Sequence, residues 1–433
     1  MRPFRHALVL AIAAAALAGG AAHATTARSA WGRISGPTQP GVQLGLARGS
    51  DGVLHVIWNR GVSPTSIFET RLSPTGAVSG TSTVATGFDG NAGLALLVMP
   101  DKTLRLFAAG ATHPQSSAYG INTFTSGPGG GSWALQAGTF WGGAVANSAA
   151  VIGAALMKDG RPATAWRGVA GAGVPPSTQS GYQNGMTASQ LATDAATGAV
   201  VLSGVTNSGN GGVYVQQVLP STGTRVVLPL ASTLNDWNSS VSGRLGAGGV
   251  YVAYADGKTA KLYRYGGGSK TLASGALTSA AACPGPDGRL WVAWGDHSGG
   301  LTVTRSNGAV SAFEPLQRVK LAQGSDGMTY LQCEGSAGPV DLFAFVPSGG
   351  SAGFWHTHLL ARLSLTAHAS KGKVTVTARD AGDPLAGAAI VVAGKHLTTG
   401  ANGQATVTLR RGSYSATATV SGYAPAAAKV KVR

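Results

Sequence analysis

The chain predicts an all-β fold on three observations. A tight turn followed by a short alternating strand recurs seven times, no segment past the leader holds an apolar period of 3.6 beyond a turn or two, and 66 glycines and 20 prolines supply turns. The recurring segments are 48–58 (RGSDGVLHVIW), 99–108, 157–166, 193–204, 246–254, 284–294 and 323–333 (QGSDGMTYLQC). Anchored at Gly52, Lys102, Gly160, Gly198, Gly248, Gly288 and Gly327, they repeat at a mean of about 46 residues, close to the period of a propeller blade. Second β-rich hairpins follow, as at 66–86, 260–274 and 301–315, and four strands per repeat is the make-up of one blade. The expected architecture is a seven-bladed β-propeller over 38–358 followed by a small β-sandwich over 363–433. Because the fourth and fifth anchors lack an Asp-Gly turn, six to eight blades fit the sequence.

In chain order, residues 1–24 form an expected signal peptide. Arg2, Arg5 and His6 precede an apolar run over 7–21, and Ala22-His23-Ala24 is an A-x-A cleavage site. The run is shorter than the roughly 20 residues of a spanning helix, so the expectation is a secreted, extracellular chain starting at Thr25 with no membrane span. Within the repeats, the positions two and four past each anchor are mostly aliphatic (Leu54 and Val56, Leu104 and Leu106, Leu290 and Val292). A period of two places them on one strand face, to be buried against the next repeat. The intervening column (His55, Arg105, Ala163, Val201, Tyr251, Trp291, Tyr330) is mixed and predicts a second face only partly covered. Trp58, Trp166 and Trp294, six past their anchors, are expected in blade packing.

Near Leu359 the repeat stops. Alternating pairs follow: Val374 and Val376, Ile390 and Val392, Ala405 and Val407, Ala416 and Ala418, with turns at Asp383-Pro384 and Asn402-Gly403. The stretches Asp383 to Val392, Thr399 to Ala405 and Gly412 to Tyr423 resemble the carboxypeptidase regulatory-like, transthyretin-like β-sandwich. That resemblance implies a stalk or docking module without chemistry of its own.

Charged residues are only 11% of the chain, against about 25% in ordinary soluble proteins. The net charge is +16, which outside a cell favours anionic wall polymers or acidic polysaccharide over nucleic acid. The cations are spread along the chain and never form a run, which favours a compositional bias as the source of the charge. Export favours pairing Cys283 with Cys333. Their places around the sixth and seventh turns do not guarantee a Cα separation below about 7 Å, and the sequence leaves the pairing open.

Loops leaving the anchored strands emerge on one face of the ring near its axis. They carry Asn59, Arg60, His113, Arg167, Asn207, Asp256, Asp296, His297 and Glu334, and the longer ones bring Tyr119 and Tyr182. Aromatic rings beside hydrogen-bonding groups suit carbohydrate or peptide contact. Of the 16 carboxylates, Asp51, Asp101, Asp159, Asp194, Asp287 and Asp326 belong to turns, and Asp380 and Asp383 to the tail. Glu69, Asp89, Asp236, Asp256, Asp296, Glu314, Glu334 and Asp341 remain for chemistry, with no two close in sequence. His356 and His358 share a strand face but make half a zinc site, so a structural role at the junction is expected.

The segment 285–315 resembles streptogramin lyase-like repeats, and 50–58 resembles sialidase-like ones. Both likenesses are to scaffold. The Arg-Ile-Pro opening fails at Arg33-Ile34-Ser35, the Asp-box spacing fails at Ser50-Asp51-Gly52, and no Glu-x-His pair occurs. The expectation is therefore a non-catalytic binding or adhesion protein with no cofactor and no metal, recognising extracellular glycan or cell-wall material through the axial loops. A glycan-cleaving hydrolase or lyase is the alternative.

Overall fold

The computed structural model describes residues 31–433 apart from 37, 39–42, 61–64, 90–92, 113–119, 143–151, 167, 182–189, 206–211, 231–238, 276, 297–299, 321–328 and 348–351. The protein is all-β: among the described residues, seven antiparallel blades stand in a ring, then two further sheets pack face to face. Blades one and three to seven have four strands each, and blade two has five and is joined to blade one where Phe88 and Asp89 pair with Thr112 and Ala111. Blade one runs outward through Gly45–Arg48, Leu54–Asn59, Thr65–Leu72 and Val78–Asp89. The innermost strands of the next five blades are Leu94–Val98, Gly153–Leu156, Gln190–Thr193, Ser239–Arg244 and Leu277–Pro284.

Blade seven differs from the expectation. Its innermost strand is Thr329–Glu334 and its second is Val340–Val346, joined at Gly338, whose φ is 114°. The anchor expected at Gly327, which lies outside the described residues, is therefore one strand early; a Ser-Asp-Gly in the connection from blade six resembles the turn inside a blade. With Gly338 as anchor, Val340 and Leu342 fall into the aliphatic columns and Ala344 into the column of Trp58, Trp166 and Trp294, all fully buried. The outermost strand of blade seven is Gly32–Arg33, ahead of the expected start at Thr38, pairing with Trp355 and His356. Both ends of the ring thus meet in one sheet.

Seven apolar clusters hold the ring, one between each neighbouring pair of blades, and an eighth fills the sandwich. Each blade is wedged between two others, so second strands are buried on both faces. Leu290, Val292 and Trp294 pack toward blade five, whereas Trp291 and Ala293 pack toward blade seven. The half-covered face expected from the mixed column is accordingly wrong: His55, Ala163, Val201, Tyr251 and Trp291 are all buried, and Arg105 and Tyr330 are partly open. Trp58, Trp166 and Trp294 are buried packing residues, and Trp58 stacks on Phe68 with centroids 4.6 Å apart.

The turn chemistry is local. The Oδ1 atoms of Asp51, Asp101 and Asp159 each accept from the backbone N–H two residues on, at 3.0 Å. The residue after each aspartate takes the left-handed conformation, Gly52 and Gly160 at φ 81° and Lys102 at 68°.

In the tail, one sheet holds Ser364–Ser370, Lys373–Asp380 and Gln404–Thr408; the other holds Lys395–Thr398, Ala389–Val392, Gly412–Thr419 and Ala426–Val432. Val374, Val376, Ile390, Val392, Ala405, Val407, Ala416 and Ala418 all face its core, as the alternation predicts. A buried charge cluster fastens it to blade six. The Arg305 guanidinium lies between the Trp291 and Tyr423 rings, 5.2 and 5.0 Å from their centroids. It is shared by Glu314 Oε1 at 2.9 Å and Asp380 Oδ1 at 2.6 Å. Arg289 reaches Asp380 and Asp383, and Tyr423 donates to Asp380 at 2.6 Å.

Candidate functional site

The innermost strands enclose an axial channel of about 500 Å³. Neighbouring innermost strands do not pair with each other among the described residues, and glutamines bridge two of the gaps. Gln332 Oε1 accepts from Leu44 N–H at 3.0 Å, and Gln190 Oε1 accepts from Val241 N–H at 3.1 Å. Gln43 also lines the channel; it is 6% exposed, and its Oε1 has no hydrogen-bond partner among the described residues. The remaining wall is largely aliphatic, with Ser240, Ser242, Thr193 and Arg244 among its polar groups. Close approach of blades four and five requires Gly243, where a Cβ would stand 2.4 Å from Thr193 O.

Six of the predicted loop residues, His113, Tyr119, Arg167, Tyr182, Asn207 and His297, lie outside the described residues. The others have defined places. Asn59 is fully buried at the end of its strand, and its carbonyl accepts from Thr38 Oγ1 at 2.7 Å. Arg60 is exposed, with its guanidinium 5.4 Å from the Phe68 ring centroid. Asp256 accepts from Lys258 N–H, Thr259 N–H, Thr259 Oγ1 and Lys261 Nζ within one turn. Burial opposes ionisation of Asp256, but those bonds outweigh it and hold its carboxyl well below the usual range. Asp296 Oδ1 accepts from Gly300 N–H at 2.9 Å, closing its own loop.

Glu334 is not on that face. It ends an innermost strand rather than a second strand, so it belongs to the opposite face, where Arg48 Nε binds it at 2.6 Å. The misplacement follows from the early seventh anchor.

The other candidate carboxylates are also held by the fold. Glu69 Oε1 meets His55 Nδ1 at 2.7 Å, both side chains being fully buried, and its Oε2 accepts from Ser82, Gly131 N–H and Trp133 Nε1, which are partly buried. Asp341 Oδ1 takes both His356 Nε2 at 2.7 Å and His358 Nδ1 at 2.9 Å, while Oδ2 pairs with Arg48. Burial works against ionised Asp341, and the two imidazoles outweigh it, depressing its pKa. His356 and His358 therefore share a face as expected but serve a carboxylate. Among the described residues no three potential ligands meet to hold a metal. The side chain of Asp89, and Asp236, are outside the described residues.

Cys283 and Cys333 form a disulfide with Cα atoms 5.7 Å apart. Both sit near the same end of adjacent innermost strands, beside the channel; the doubt about their geometry arose from placing Cys333 on a second strand. Sequence reasoning missed Gln43. Its signal was the recurrence of glutamine shortly before the blade turns, at Gln43, Gln190 and Gln332, a pattern that the wrong seventh anchor conceals.

No family model matches the chain, and no curated protein does. Among solved structures, AofleA from Arthrobotrys oligospora is 12% identical with a TM-score of 0.44, covering 68% of this chain and 90% of its own. The Aleuria aurantia lectin AAL is 14% identical with a TM-score of 0.41, covering 74% and 93%. A Penicillium chrysogenum α-L-arabinanase is 12% identical with a TM-score of 0.41, covering 76% and 96%. The propeller assignment rests on the strand order of the chain itself.

Proposed function

We propose that the protein is an exported, non-catalytic propeller that binds extracellular glycan at its axis, with the loops leaving the second strands as the rim of the site. The observation that carries this reading is Gln43, a buried amide on the wall of a channel of about 500 Å³ whose Oε1 has no partner among the described residues. A buried acceptor without a partner costs about 1–3 kcal/mol, which a ligand hydroxyl relieves. Amides, hydroxyls and aliphatic walls suit a neutral polyhydroxylated ligand. The described carboxylates nearest to chemistry are already bound by His55, Arg48, Arg305 or their own turns. Under this reading His113, Tyr119, Arg167, Tyr182, Asn207 and His297 supply further contacts, Arg60 flanks them, and Asp256 and Asp296 hold loop shape.

The test is a glycan array probed with the chain lacking residues 1–24, alongside assay of the same glycans for released reducing ends. Binding without release, weakened at least tenfold in Gln43→Leu, is the expected result. Release of sugar ends would favour a hydrolase or lyase, and undiminished binding by Gln43→Leu would remove the channel from the account.

A further inference from the structure

The cations that look scattered along the sequence converge in space at one end of the C-terminal sandwich. Residues 363–433 carry nine Lys and Arg against only two acids, Asp380 and Asp383. Both acids are drawn to the propeller by Arg289 and Arg305. At the other end, two contiguous depressions of about 420 and 320 Å³ share His368, Ser370 and Lys371. Their cationic lining is Lys371, Lys373, Lys429, Lys431 and Arg433, with His368 beside them and no acidic residue in either.

Strand geometry explains the convergence. Lys429 and Lys431 alternate outward on an edge strand, opposite Ser415 and Ser413, and so stand about 6.8 Å apart. Ser370 pairs with Lys373, which turns the chain at Lys371. Leu409 N–H donates to Gly372 O, bringing Arg410 and Arg411 to the same end. All of these cations are exposed. Spacings below the roughly 8 Å Debye length of physiological salt leave their repulsion only partly screened, and a bound polyanion relieves it. Lysine on an edge strand also discourages pairing between copies, but that role needs no cations from the neighbouring turns.

We propose that this groove binds a linear polyanion that carries repeating carboxylates or phosphates and no bases. The groove is lined by no Phe, Tyr or Trp, and the His368 imidazole is its one ring on which a nucleobase could stack. The proposal does not rest on the axial site, which faces neutral ligand through different residues.

The test titrates the chain lacking residues 1–24 with polygalacturonate, with inorganic polyphosphate and with single-stranded DNA over a range of salt. Lys373→Thr, Lys429→Thr and Lys431→Thr together should weaken the first two probes at least tenfold. The log–log salt slope should fall by about 2, three cations at about 0.7 each. A charge-matched variant, Lys158→Ser, Arg264→Ser and Arg318→Ser, all exposed on the propeller, should bind like the parent. Polygalacturonate and polyphosphate distinguish carboxylate from phosphate ligands, and binding of either supports the proposal. No binding of either at low salt, equal loss in both triple variants, or a preference for DNA over both would overturn it. Gln43→Leu should leave these titrations unchanged, which keeps failure here separate from failure at the axis.

Discussion

Removing the disulfide tests the ring closure directly. Cys283 and Cys333 bridge the innermost strands of blades six and seven across a sequence separation of 50. Loop-closure entropy for about 50 residues gives roughly 4 kcal/mol at 25 °C. A propeller of roughly 330 residues unfolds with an entropy near 0.7 kcal/mol/K at about 2.1 cal/mol/K per residue, so the loss converts to a fall in Tm of about 6 °C. The perturbation is Cys283→Ala with Cys333→Ala, because Cys283 is buried in the cluster between these blades and alanine adds no polar group there. The assay is a thermal melt of parent and variant, with a non-reducing peptide map of the parent. The map should show one cross-linked pair joining 283 to 333, and each single variant should melt near the double. Two free thiols in the parent, or a double variant melting within about 1 °C of it, would refute the reasoning.

Burial, with Asp380 sharing the Arg305 guanidinium, pushes Glu314 up to about 7 from 4.5. A raised folded-state value means that its contribution is full below the unfolded pKa and lost as pH rises through 7. Each pH interval of one between the unfolded and folded values is worth about 1.36 kcal/mol, so the parent should be less stable at pH 8 than at pH 4.5 by about 3 kcal/mol from this group. Urea midpoints check this, and Glu314→Gln should flatten the difference. Asp341 acts in the opposite direction: its depressed pKa makes a contribution present above the ordinary aspartate range and lost as pH falls through the folded value. Asp341→Asn leaves Arg48 without one buried partner, should cost about 3–5 kcal/mol at pH 7, and should remove part of the acid limb in a pH series of melts.

The blades were legible because a second strand buried between two neighbours is apolar along nearly its whole length and follows a tight turn, as in Leu54, Val56, Ile57 and Trp58. Asp51, Asp101 and Asp159 marked the turns because their caps are made within two residues and need no tertiary context. Contacts that depend on distant chain were not legible. Gly32–Arg33 is too short to show a pattern, and its place is fixed by the exposed edge of Gly353–Leu359. The shift in blade seven came from reading a connecting Ser-Asp-Gly as a blade turn. At the axis, the polar environment of Gln43 depends on strands from other blades, so its unmatched oxygen is a property of the ring and not of its segment.

The tail shows how alternation hides charge from a linear reading. Lys429, Lys431 and Arg433 are separated by Val430 and Val432, which enter the core, so no basic run exists in the sequence although one exists on the surface. The same two acids that would have neutralised the domain instead fix its orientation. Asp380 ends the strand that Lys373 begins, and seven steps of about 3.3 Å separate them by about 23 Å. Because Asp380 is buried against Arg289 and Arg305, the strand must point its lysine end away from the propeller. A sandwich docked the other way round would bury cations against those arginines and leave both acids without partners, at several kcal/mol per uncompensated charge. The electrostatics that attach the tail therefore also determine that its cationic groove faces outward.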